Sequence, residues 1–154
     1  MIKRGGARDE LLHQELEMIH SAVPPRPQLT EDYTFFLEGL QRRELLVQKC
    51  DDCGALRPLP GPMCPDCHSF AWSAQALRGG GSIYSYIVHY HPPIPPFATP
   101  HIVALADMDE GVRVTAALDF CVPEDVTIGM RVGVAFAQGE NGFLLHHFVP
   151  EAHT

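Results

Sequence analysis

The sequence predicts a mainly β chain with N-terminal helices, in which a rubredoxin-like zinc ribbon precedes a five-stranded OB-fold barrel. Three observations predict it. Four cysteines fall into two C-x-x-C pairs, Cys50/Cys53 and Cys64/Cys67. Five short segments of strand character follow Gly79-Gly80-Gly81. Ahead of the cysteines, apolar residues recur at helical spacing instead. On this reading residues 1–43 form a helical arm, 44–77 the ribbon and 78–154 the barrel. The 154 residues are 45% hydrophobic, enough for a real core.

The arm holds two predicted helices. Leu12, Leu16 and Ile19 repeat at i, i+4, i+7, with Leu11 and Met18 widening the stripe. Val23-Pro24-Pro25-Arg26-Pro27 breaks this helix and extends the chain. Thr30 then fits an N-cap, and Glu31 and Asp32 suit the positive end of a helix dipole. Tyr33, Phe36, Leu37 and Leu40 recur at i, i+3, i+4, i+7. This bulky face either packs on the protein's own ribbon or docks on a partner.

The ribbon follows from metal chemistry. A C-x-x-C turn aims both sulfurs at one centre, and two such turns facing each other make a tetrahedral thiolate cage. Residues 44–49 enter it as a strand and 70–77 leave it, with Trp72 expected to pack over the knuckles. Between the pairs, Ala55 to Pro62 begins strand-like and then turns sharply. Disulfide and redox uses are the competing readings. Met1 to Gly6 lacks the apolar run that export requires, so the expected location is cytoplasmic and the thiols are expected to hold metal. Zinc is the expected ion, and a rubredoxin-like iron centre uses the same ligands. His68 is expected to be a solvated neighbour, since four cysteines already complete the shell. A closed shell leaves no position for water, so the centre reads as a structural staple.

The barrel strands are predicted at 83–91, 102–108, 112–118, 131–137 and 143–149. Val112, Val114, Ala116 and Leu118 alternate with polar or small residues, as a half-buried strand requires. In the first strand Tyr84, Tyr86, Val88 and Tyr90 are expected on one face, with Ile83, Ile87, His89 and His91 on the other. Five short strands in such a length fit an OB-fold.

Charge narrows the function. The net charge is −8. From Gly79 to Thr154 Arg113 and Arg131 face eight acids, a net −6. A nucleic-acid surface needs the opposite balance, although Tyr84, Tyr86 and Tyr90 keep a single-strand-binding OB module as the alternative reading. No apolar run is long enough to span a membrane. Cys121, in Asp119-Phe120-Cys121-Val122-Pro123, sits between two acids and beside apolar residues, where a thiol's pKa should rise, so it reads as structural. His89, His91, His146 and His147 are candidates for a base or second metal site, against the plainer reading of polar edge residues. The triple glycine precedes a strand, so it lacks the helix N-terminus that would bind phosphate.

The combined order resembles a known family. Its marks are Phe35-Phe36-Leu37-Glu38-Gly39-Leu40, Cys50-Asp51-Asp52-Cys53-Gly54, Cys64-Pro65-Asp66-Cys67, Ile128-Gly129-Met130-Arg131-Val132 and Phe148-Val149-Pro150. Residues 33–150 are similar to the zinc-ribbon/OB-fold family called acyl-CoA-associated, or domain of unknown function thirty-five. The resemblance implies a small subunit of a thiolase-like enzyme, a thiolase, an acyl-CoA synthase or a steroid side-chain aldolase, and the lack of an activated nucleophile in this chain makes the expected subunit non-catalytic. It implies a hetero-oligomer and acyl-CoA as a ligand shared with the partner. The long apolar loop from His91 to His101 enters the second barrel strand where the family has an aromatic-Pro stretch. By position, Phe97 and Pro100 are then the acyl-CoA channel or partner loop, joined by His101, which stands where the family often has an aromatic; on the docking reading of the arm, Tyr33, Phe36, Leu37 and Leu40 are the partner-docking helix.

Overall fold

A computed structural model describes residues 31–93, 97–139 and 142–151. The predicted first helix around Leu12, Leu16 and Ile19, the Pro24–Pro27 break and the Thr30 cap lie outside these residues, as do Ile94 to Pro96 of the long loop.

Helix α1 spans Glu31–Gln41. It ends where Arg43 turns left-handed, with φ 60°, and Glu44 N–H donates to the Gly39 carbonyl at 2.9 Å. Gly39 has a packing reason. A Cβ there would lie 2.6 Å from Leu46 Cγ, so only glycine lets the helix approach the next strand this closely.

Strands β1 (Leu46–Cys50), β2 (Leu56–Arg57) and β3 (Trp72–Ala76) form an antiparallel sheet of order β2-β1-β3. Strands β4 (Gly80–His89), β5 (His101–Met108), β6 (Arg113–Ala117), β7 (Arg131–Gln138) and β8 (Leu144–Pro150) form a second, of order β6-β5-β4-β7-β8. Its two edges meet in a parallel bridge between Leu118 and Phe148, and Asp119 N–H donates to the Phe148 carbonyl at 2.9 Å. This near-closure gives the OB-type barrel.

One core serves both sheets. Leu45, Val47 and Leu77 from the ribbon's root pack in the same buried cluster as Ile83, Ala104, Val132 and Phe148. Removing this apolar surface from water is the main force joining ribbon to barrel.

One expectation needs correction. The face assignment of the first barrel strand fails at Tyr84. A bulge between Ile83 and Ser85 inserts one residue against β5, and the alternation changes phase there. Ile83, Tyr86 and Val88 therefore point to the core, while Tyr84 stays outside beneath the Arg113 guanidinium at 3.5 Å. The apolar face of α1, for which two readings were open, packs in large part within the protein. Leu37 and Leu40 are buried, and Phe36 packs edge-to-face on His146 at 5.7 Å. Of the four residues Tyr33 is the most exposed, because the helix lays its apolar stripe on β1 and β8.

Candidate metal centre and barrel cleft

Cys50 ends β1, and Cys53 completes its turn; Cys64 and Cys67 form the second turn ahead of β3. The two knuckles are built alike. Gly54 N–H donates to Cys50 O at 2.9 Å, and His68 N–H donates to Cys64 O at 3.0 Å. The residue after each second cysteine is left-handed, Gly54 at φ 77° and His68 at φ 61°. Glycine adopts this conformation freely and histidine does not. His68→Gly is accordingly expected to raise stability by about 1 kcal/mol, read as a higher urea midpoint. A lower midpoint would mean that the imidazole itself is needed.

The knuckles bring all four sulfurs within 4.8 Å of one another. Cys50 and Cys67 Sγ lie 3.5 Å apart, Cys53 and Cys64 Sγ 3.6 Å, and all are free thiols. Four sulfurs at about 2.3 Å from a central zinc sit about 3.8 Å from each other, so the set fits a tetrahedral ion. The thiols' protonation agrees. Chiefly through the Cys53 N–H, Cys50 is lowered to about 6. For Cys67 the Ser69 N–H pulls down, but the Cys50 and Cys53 sulfurs together push the thiol up to about 12. One thiolate forms easily and then resists the others, which is the resistance a divalent cation removes. His68 is outside this group.

Two further ribbon residues escaped the sequence reading. Gln48 and Arg57 pair across β1 and β2, and both are buried. Arg57 donates to the carbonyls of Gly61 at 3.1 Å and Met63 at 2.7 Å, while Gly61 N–H donates to Gln48 Oε1 at 3.0 Å. They lash the Pro-rich turn and so deliver Cys64. A buried arginine opposite a buried glutamine is a signal, but only pairing register reveals it. Trp72 stands opposite Cys50 in register, with its ring 4.9 Å from that of Phe35. The tryptophan therefore ties the helix to the metal centre.

The second feature is a cleft of about 640 Å³ at one end of the barrel. Phe97, Pro100 and His101 all line it, and the Phe97 and His101 rings lie 5.1 Å apart. Cys121 and the adjacent His146 and His147 reach it too. Burial, helped by Asp125, pushes the Cys121 thiol up, as its sequence setting suggested. His146 Nε2–H donates to Thr115 O at 3.2 Å, and burial lowers its pKa. His89 is turned elsewhere, 2.6 Å from Pro92 O. Among the described residues the cysteines are the only cluster of three or more metal-type ligands, so the histidines form no second metal site there. No helix among them is long and apolar enough to cross a membrane.

Residues 37–73 match the family described as the ChsH2 rubredoxin-like zinc ribbon domain, and 74–137 the ChsH2 C-terminal OB-fold domain. The chain is 38% identical to a probable enoyl-CoA hydratase alpha subunit of Thermomonospora curvata, over 89% of this chain and 43% of that one. It is 33% identical to the 3-oxo-4,17-pregnadiene-20-carboxyl-CoA hydratase alpha subunit of Mycobacterium tuberculosis, over 72% and 35%. The chain thus spans less than half the length of these two relatives. A chain of the solved Ltp2-ChsH2(DUF35) aldolase is similar at 39% identity and TM-score 0.77, covering 81% of this chain and 98% of that chain.

Proposed function

This chain belongs to the ChsH2/DUF35 zinc-ribbon and OB-fold family, and from that premise we propose that it is a non-catalytic subunit of a thiolase-like enzyme, whose acyl-CoA channel it helps to form. The observation that carries the reading is the cleft. An apolar recess rimmed by the exposed ring of Phe97, with Pro100 and His101 beside it, is a surface suited to a partner and an acyl group. The cysteine quartet, Cys50, Cys53, Cys64 and Cys67, would hold zinc, which supplies a rigid structural cross-link when bound. A thiol shifted upward, as Cys121 is, makes a poor nucleophile at neutral pH. The activities named for the relatives suggest a bulky acyl-CoA for the complex, with hydratase or aldolase chemistry lying outside these residues.

Among the described residues the barrel's tyrosines do not favour the nucleic-acid alternative. Tyr86 turns inward and Arg113 covers Tyr84, so the tyrosines do not make one stacking platform.

The test is coexpression with a thiolase-like partner. A stable complex, with two copies of each chain, is expected. Phe97→Asp places an unpaired charge in an apolar contact and should weaken assembly or acyl-CoA binding by several-fold to a hundredfold, about 1–3 kcal/mol. Unchanged complex mass and unchanged turnover in the variant would remove the loop from this role. Activity in the isolated chain would overturn the non-catalytic assignment.

A further inference from the structure

The cleft has an internal polarity that tells what it can hold. Phe97, Pro100, Leu118, Phe120 and Leu145 supply much of its apolar wall. Its polar lining is His101, Asp119, Cys121, His146 and His147, with no lysine or arginine. A phosphate or carboxylate would enter without a cation and beside the Asp119 carboxylate, which disfavours it. A neutral oxygen is different. His147 Nδ1 lies 2.9 Å from Asp119 Oδ2, at an angle short of good hydrogen-bond alignment. Such contacts often tighten only once a ligand is seated. With Nδ1 turned to Asp119, the opposite ring nitrogen, Nε2, is the end left for a ligand. It accepts from a hydroxyl when neutral and donates to a carbonyl when protonated.

The barrel's closure builds this pair. Asp119 follows Leu118 and His147 precedes Phe148, so the parallel bridge between Leu118 and Phe148 puts the two diagonally across from each other on one face, where their side chains meet. At the rim Phe120 adopts a left-handed backbone, φ 56°, and the residue is 76% exposed. A phenylalanine held in that conformation beside an open cleft is local strain of the kind that gathers at binding sites.

We infer that the cleft binds a neutral apolar molecule through a single hydroxyl or carbonyl oxygen, with His147 as its polar anchor and Asp119 as the positioning residue for that ring. The inference deepens the proposed function by naming the chemistry of the group the cleft receives, and it assigns the anionic part of any thioester ligand to a surface outside this cleft.

The zinc-loaded full chain without a partner is the right material, because the cleft can then fail while the complex still forms, or stand while the complex does not. Three probes share one ring system: naphthalene, 2-naphthol and 2-naphthoate. Their affinities are measured by NMR titration near neutral pH. 2-Naphthol should bind about fivefold more tightly than naphthalene, the yield of one ordinary hydrogen bond, and 2-naphthoate more weakly than either. The naphthol hydroxyl face should show contacts to the His147 ring protons. His147→Phe should erase the naphthol advantage and leave naphthalene binding within about twofold of its original value. His147→Gln, which keeps a donor and an acceptor, should recover part of it. If His147→Phe does not fold, the three-probe ranking and the ring contacts in the unaltered protein decide. Equal binding of naphthol and naphthalene, tightest binding of naphthoate, or no binding at all would overturn the inference. So would a full naphthol advantage surviving in His147→Phe.

Discussion

Cys53→Ser is expected to leave the chain without bound metal and with its ribbon unfolded. Three thiolates and a hydroxyl no longer close the tetrahedral shell. Structural zinc contributes about 10–16 kcal/mol of apparent binding free energy in small zinc domains, comparable with or above the whole stability of an ordinary domain. The sheet it staples has little else. β2 is two residues long, and Leu59, Met63 and Phe70 around the centre are exposed. Loss of metal should therefore release the Pro-rich turn and free Trp72 from Phe35. It should also lower the barrel's stability, since Leu45, Val47 and Leu77 belong to the common core. Elemental analysis should fall from about one zinc per chain to near none. The near-ultraviolet signal of Trp72 should collapse with it. A variant that kept its zinc and its tryptophan signal would mean that the fourth thiolate is dispensable.

Phe148→Ala should cost about 3–5 kcal/mol, the loss expected for truncating a fully buried aromatic ring. Phe148 has no exposed surface and is the largest of the fully buried side chains. Its backbone also closes the barrel onto Leu118 and Asp119. The prediction is a lower urea midpoint with an unchanged slope, because the native state stays closed and only the cavity is added. A loss below about 1 kcal/mol would show that neighbouring side chains collapse to fill the space.

The metal centre was legible because its signal is local. Two C-x-x-C pairs fix four ligands with no knowledge of the rest of the chain. The barrel strands were legible because alternation is local too, and the observed strands begin and end within a few residues of those expected. What stayed hidden depends on pairing between distant segments. The bulge at Tyr84 is invisible to alternation, since both phases of that strand carry large side chains. The inward turn of Leu37 and Leu40 needed the position of β1, since an amphipathic stripe does not say what covers it. Asp119 and His147 were each noticed as residues. Their meeting could not be, because it follows from an edge-to-edge closure that no spacing in the sequence encodes.

The same closure sets an order of events while the chain is being made. Synthesis runs from the N-terminus, and every strand of the ribbon is complete by Ala76. The metal knuckles can form at that stage, with Leu45 and Val47 still waiting for the residues that cover them. The barrel cannot close until β8 emerges, since that strand alone fills the gap between β6 and β7. Until then two sheet edges stand open, and such edges pair readily with other chains. Within these residues the metal-binding ribbon is therefore ready early and the barrel cleft is finished last.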